Sequence, residues 1–247
     1  MKRVHLRLEV ISSSIVLFFW TPLFSAIAQT ATVEANAPIR FTPNSKGVQL
    51  SGRGRPRVGR AGGGTRGNCP LATAPTNSRM VPLVPGTQPA LSATNSPSIW
   101  VYIPYSGTDS LKATVVLRDG DERSLPLIAS SKVTLTATPG IHEISLPQSL
   151  EAERLYIWYV TLHCNNSNKS QDPFVAGEVR WIAPNPVFQT HLAKASKRDQ
   201  VALYAQQGFW YDAVALLAAD PTTKDWADLL KSGLPSLEAI AQEKVIP

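Results

Sequence analysis

The side chains able to do chemistry in this chain are few, and their spacing argues against an assembled catalytic or metal site. His5, His142, His163 and His191 are isolated from one another in sequence, so no two imidazoles stand at the short strand or helix spacing that would bring them onto one metal or one nucleophile. Cys69 and Cys164 are far apart and have no second cysteine or histidine at zinc-ligand spacing. His163 and Cys164 are neighbours in a run that reads as a strand, which sends them to opposite faces and separates them as a catalytic pair. Asp172, before the last expected strand, and Glu178, within it, lack the signature of an acid and base pair. The expectation is a protein that is not an enzyme and carries no cofactor and no metal.

The second chemical feature is a basic stretch, Ser51 to Gly67, in which Arg53, Arg55, Arg57, Arg60 and Arg66 alternate with glycines and one proline. Arg53-Gly54-Arg55-Pro56-Arg57 looks like the core of an AT-hook, a minor-groove binder. A solvated basic linker is the plainer reading, and contact with an anionic surface such as headgroups, wall polymer or acidic polysaccharide lies between the two. No nucleic acid partner is expected, because the chain opens with an export signal. Met1 to Arg7 is basic, Val10 to Phe24 is apolar, and Ala26-Ile27-Ala28 is a small-residue cleavage site. Cleavage after Ala28 makes Gln29 the first mature residue. The apolar run is short for a span and is broken by serines and Pro22, so no transmembrane span is expected after signal removal. The formal net charge is +6. Lys2, Arg3 and Arg7 against Glu9 account for part of it, and the mature chain is only modestly basic.

Export gives the cysteines a meaning, since in an oxidising compartment the pair Cys69 and Cys164 is most simply one disulfide. Closing a loop of roughly 95 residues would stabilise the fold by about 4 to 5 kcal/mol on the chain-entropy account.

The elements that must position these residues are organised around Arg154 to Cys164. With a period of two, Tyr156, Trp158, Val160, Leu162 and Cys164 share one face, and Leu155, Ile157, Tyr159, Thr161 and His163 share the other. Both faces are largely apolar, which predicts a strand in the middle of a sheet. Strand-like runs at Ile99 to Tyr105, Lys112 to Asp119, Glu122 to Ile128, Lys132 to Thr138, Ile141 to Leu146, Arg154 to Cys164 and Phe174 to Ile182 follow one another about every ten residues. Asp119-Gly120 predicts a tight hairpin between the second and third runs, and Pro139-Gly140 a turn between the fourth and fifth. Val81, Leu83 and Val84 suggest a short edge strand. After Pro184 the period changes to about 3.6 residues, with a bend expected around Ser196 to Asp199 and a helix stop at Gly208. Leu203-Tyr204, Gly208, Trp210, Ala213 and Leu217 are similar in spacing to one tetratricopeptide hairpin, but such repeats come in arrays and this one stands alone, which favours a generic helical hairpin packed on the sandwich.

The fold class is therefore mainly β with α: an immunoglobulin-like or fibronectin-like antiparallel β-sandwich followed by a C-terminal helical segment. The expected divisions are a signal peptide at 1–28, a disordered or extended Gly/Arg- and Pro-rich leader at 29–97, the sandwich at 98–183, and helical hairpins at 184–247. Gly63-Gly64-Thr65-Arg66-Gly67 with Cys69, Trp100-Val101-Tyr102-Ile103-Pro104-Tyr105, Tyr156 to Cys164 with Ser170-Gln171-Asp172, and Gly208-Phe209-Trp210-Tyr211-Asp212-Ala213 together resemble an exported, mainly cyanobacterial family known as domain of unknown function 928. The resemblance implies the signal peptide, the disulfide and the two-part architecture, and it brings no activity and no functional residues.

The expected function is that of an exported, non-catalytic interaction module in the periplasm or cell envelope, or secreted outside the cell. Tyr204, Trp210 and Tyr211 stand either in the core or at a partner contact. The alternative is a cell-wall or polysaccharide-binding sandwich, in which Trp100, Tyr102, Tyr105 or Trp181 stack on sugar rings.

Overall fold

In the computed structural model of this chain the described residues are 37–44, 79–85, 90–107, 110–164, 168–234 and 238–246. The signal segment with Ala28 and Gln29, the arginine stretch from Arg53 to Arg66, and Cys69 lie outside them. The described chain is mainly β. Its strands are β1 (Val81–Pro82), β2 (Ala90–Ser92), β3 (Ser98–Ile103), β4 (Leu111–Asp119), β5 (Leu127–Leu135), β6 (Gly140–Ser145), β7 (Leu155–Leu162), β8 (Phe174–Trp181) and β9 (Val245–Ile246). One sheet has the order β1-β3-β6-β9 and the other β2-β8-β7-β4-β5. The pairings are antiparallel except at two places, where β2 joins β8 and β9 joins β6 in parallel.

β7 lies between β4 and β8, in the middle of the larger sheet, where its two apolar faces require it to be. Tyr156, Trp158, Val160 and Leu162 are buried, and so are Leu155 and Ile157 on the opposite face, whereas Tyr159, Thr161 and His163 are half-buried. A large apolar side chain removed from water contributes about 1.5–3 kcal/mol, so this strand anchors the core. Gly177 is the cross-strand partner of Trp158, and a Cβ there would collide with the indole ring. The absence of a side chain on β8 is what lets the indole lie flat against the sheet.

The region between β4 and β5 departs from the expected hairpin. Glu122 to Ile128 is not a strand of its own; β5 runs as one strand from Leu127 to Leu135 and takes in the end of the third expected run and the start of the fourth. Asp119-Gly120 opens a longer loop in place of a two-residue turn, because polar groups close it further along. The Asp119 amide donates to the Pro126 carbonyl and the Arg118 guanidinium donates to that of Leu125 (2.8 Å), with Leu125 held at φ +47°. The turn expected at Pro139-Gly140 feeds β6 directly. Gly140, at φ +155°, lies so close to the Lys244 carbonyl that a side chain would clash with the returning C-terminal strand.

After β8 come α1 (Pro186–Lys194), α2 (Lys197–Gln206), α3 (Trp210–Ala218) and α4 (Lys224–Gly233). The expected bend is the break between α1 and α2, where the Ser196 hydroxyl accepts from the Asp199 amide and caps α2. Gly208 ends α2 at φ +82°, a conformation glycine adopts without strain. α3 touches β2 of one sheet and β3 of the other, so the helical layer shares the core of the sandwich. Part of the stretch expected as a leader is docked as well. Ile39 is buried, the Phe41 ring meets Trp210 edge-on at 5.0 Å, the Phe41 amide donates to the Ser232 hydroxyl (2.8 Å) and the Thr42 amide to the Ala205 carbonyl (3.0 Å).

Candidate functional site

Two places on this framework gather side chains with chemical potential. The first is the outward face of the larger sheet. β4 and β7 pair with Thr114 opposite Thr161, and the backbone of His163 continues the ladder by donating to the Lys112 carbonyl (2.8 Å). His163 Nδ1 lies 3.0 Å from Asp172 Oδ2, and His163 Nε2 lies 2.7 Å from Thr114 Oγ1. The buried carboxylate accepts from Nδ1–H, and Nε2 shares a hydrogen bond with the threonine hydroxyl. Asp172 Oδ1 also accepts the Cys164 amide (2.9 Å). Hydroxyl, imidazole and carboxylate thus form the connectivity that activates a nucleophile in hydrolases. Here the carboxylate is equally a backbone clamp, holding the end of β7 where His163 turns outward and Cys164 turns into the core.

Sequence reasoning did not pair His163 with Asp172, because a loop separates them and only the fold returns the chain. The remaining histidines are apart from this cluster. His142 is buried on β6, with Nε2 donating to the Thr138 carbonyl (2.9 Å), and burial pushes its pKa down. His191 is exposed on α1.

The second place is the helical layer. Trp210 and Tyr211 are core residues, 0% and 1% exposed, which removes them as partner contacts. Their helix starts where the chain turns back onto the sheets, so both rings point inward: Trp210 Nε1 donates to the Leu83 carbonyl (2.8 Å), and the Tyr211 hydroxyl accepts from Trp158 Nε1 (2.8 Å) and donates to the Glu178 carbonyl (2.9 Å). Tyr204 is half-buried in an aromatic group with Phe188 (5.9 Å) and Phe209 (6.1 Å), and burial pushes its pKa up. Phe188 comes from α1, whose Asn185 cap accepts the Phe188 amide and whose first residue is Pro186. No residue of α1 is buried, and Val187 is 67% exposed. A helix that buries no side chain fully and half-buries only Phe188 and Leu192 stands on the surface as an element with spare apolar area.

Of the aromatics considered for sugar stacking, Trp100 and Tyr105 are buried, while Tyr102 and Trp181 are half-buried and Tyr102 donates to Glu243 (3.2 Å). Buried rings have no face to offer a sugar, which removes two of the four.

Residues 61–245 match the family described as Domain of Unknown Function (DUF928). The chain belongs to this family. No curated protein matches it. Among solved structures, it is similar to a CARDB domain from Pyrococcus furiosus solved with di-metal ions, at 12% identity over 42% of this chain and 84% of that one, with a TM-score of 0.25. It is also similar to the β-glucuronidase of Parabacteroides merdae, at 11% identity over 42% of this chain and 13% of that enzyme, with a TM-score of 0.26. A third is Astrotactin-2, a vertebrate perforin-like membrane protein, at 12% identity over 65% and 31% of the two chains, with a TM-score of 0.27. No helix among the described residues is long and apolar enough to cross a membrane, and no group of His, Cys, Asp and Glu side chains among them could hold a metal ion.

Proposed function

We propose that this DUF928 protein is an exported, non-catalytic interaction module of the periplasm or cell envelope that engages a protein partner through its helical layer. The observation that carries the reading is α1, which leaves every side chain at least partly in solvent and presents Val187 beside the half-buried Phe188 and Leu192. Phe188 and Leu192 stand one turn apart, the i, i+4 spacing at which a helix lines up apolar anchors, and Val187 is the exposed neighbour of Phe188. The same reading takes the fold as fibronectin-like. Its support is the strand order, in which β1-β3-β6 faces β8-β7-β4-β5 in the manner of A-B-E against G-F-C-C′. It also takes the signal as cleaved between Ala28 and Gln29, and Cys69 and Cys164 as a disulfide, for which the burial of Cys164 is support. The cyanobacterial origin belongs to this reading and rests on the resemblance alone. We assign the Thr114, His163 and Asp172 cluster an ordering role at the end of β7.

A chain stopped at Ala183 is not a fair test, because it removes Trp210 and Tyr211 from a core shared with the sheets. The test is affinity capture from the exported fraction and from isolated wall, using the mature chain beside Val187→Asp and Leu192→Asp. The expected result is one specific protein held by the mature chain and lost by both variants at unchanged thermal stability. Equal retention of all three on purified wall polysaccharide would refute the reading and favour the polysaccharide-binding alternative.

A further inference from the structure

The larger sheet ends at β5, nine residues long, with one charged residue and no proline. Sheet edges of this length usually carry several charges, a proline or a cover, since an open ladder templates pairing with another chain. A register shift between Leu117 and Arg118 breaks the ladder near the start of β5 and leaves Ala129 to Leu135 regular.

The direction of the free ladder groups follows from the hydrogen bonds of β4. Lys112 accepts from His163, the residue that follows β7, so Lys112, Thr114 and Val116 turn their backbone groups toward β7, and Ala113, Val115 and Leu117 turn theirs toward β5. The register pairs Ala113 with Val133, Val115 with Ser131 and Leu117 with Ala129. The N–H and C=O groups of Ser130, Lys132 and Thr134 therefore point away from the sheet. On the core-facing side Ala129, Ser131 and Val133 are half-buried, while the register shift sets Leu127, 58% exposed, opposite Arg118 on the other face; among the described residues no further strand pairs with this edge, which is partly apolar as well as open.

The strand is complementary to itself. Reversed about Ser131, its regular part sets Ala129 opposite Val133 and Ser130 opposite Lys132. The Ser130 and Lys132 pairs then exchange their outward backbone bonds, Ala129 and Val133 of both strands share one face, and the single cation of each strand meets a hydroxyl and not its twin. A register centred on Lys132 would stack the two cations, which is destabilising. We propose that β5 is a homodimer edge: two copies pair antiparallel about a two-fold axis through Ser131 and continue the larger sheet of one protomer into that of its partner.

The interface is small and falls in the weak class, so the test is sedimentation of the mature chain over a concentration series. The expected result is a concentration-dependent doubling of mass. Ser130→Pro removes an outward donor and leaves the bonds to β4 in place, as proline on an edge strand does; it should stay monomeric with an unchanged far-UV spectrum. Ser131→Cys tests the register and does not depend on the proline variant folding. Residues on the axis form a close non-hydrogen-bonded pair, with Cα atoms about 4.5 Å apart, inside disulfide range. Mild oxidation should give a covalent dimer that reductant reverses, and Ser130→Cys should not. A mature chain that is monomeric throughout overturns the proposal, as does a dimer that survives Ser130→Pro or a Ser131→Cys chain that does not cross-link.

Discussion

Tyr211→Phe removes one oxygen and tests how the helical layer is locked to the sheets. The hydroxyl accepts from Trp158 Nε1 at 2.8 Å and donates to the Glu178 carbonyl at 2.9 Å, joining α3 to β7 and β8 at once. Tyr211 is 1% exposed and Trp158 0%, so water cannot replace the lost oxygen, and burial holds the phenol far above its ordinary pKa. The indole N–H loses its acceptor, an orphaned buried donor costing about 1–3 kcal/mol, and the bond to Glu178 adds about 0.5–1.5 kcal/mol. The expected loss is about 2–4 kcal/mol, or a Tm lower by roughly 5–15 °C at this chain length. Urea unfolding followed by tryptophan fluorescence measures it. In a double-mutant cycle with Trp158→Phe, the second change removes the orphaned donor, so the double variant should be more stable than the sum by about 1 kcal/mol or more. A Tyr211→Phe loss under about 0.5 kcal/mol, or a strictly additive cycle, would refute the claim that this contact couples the layers.

Gly177→Ala places a methyl group against the Trp158 ring and should cost about 1–3 kcal/mol or more, read from the same unfolding curves. Asp212, at the start of α3, accepts the Ala93 amide (2.8 Å), and burial pushes its pKa up to about 6 from 3.8. Its folded value is the higher one, so its stabilisation is present in full below 3.8 and is lost as pH rises through about 6; Tm should climb on acidification across that window, by an amount equivalent to at most about 3 kcal/mol, and Asp212→Asn should flatten the climb. Asp172→Asn disturbs the acceptors of the His163 ring and the Cys164 amide and should lower stability by about 1–3 kcal/mol. Peptide mapping of non-reduced exported protein should find Cys69 joined to Cys164 and an N-terminus at Gln29; free thiols or an earlier start would sink that part of the reading.

The sandwich strands were legible because their signal is local. β7 shows it best, since alternation alone assigned its faces and its place in the sheet. The failures share a different cause. Nothing near Ala90–Ser92 or Val245–Ile246 marks a strand, because both are short segments paired in parallel with elements remote in sequence. Glu122 to Ile128 has the composition of a strand, and its true state depends on the Pro126 carbonyl being taken up by Asp119. The candidate cluster fails in the same way: Thr114, His163 and Asp172 come from two strands and a loop, and no periodicity connects a hydroxyl to an imidazole across a ladder.

The helical layer shows why composition could not divide surface from core. Tyr204, Trp210 and Tyr211 sit within eight residues of one another, and chemistry alone gives all three the same claim to a partner. What separates them is Gly208. By ending α2 in a left-handed turn it reverses the chain, so the first turn of α3 drives Trp210 and Tyr211 between the sheets while Tyr204 stays with Phe188 and Phe209 on the outside. Gly233 leaves space for the Trp210 ring and Gly177 for that of Trp158, since a Cβ at either position would strike the indole it faces. The core is therefore specified by glycines as much as by aromatics. The proposed interaction surface therefore falls on the segment those glycines do not draw inward, which is α1.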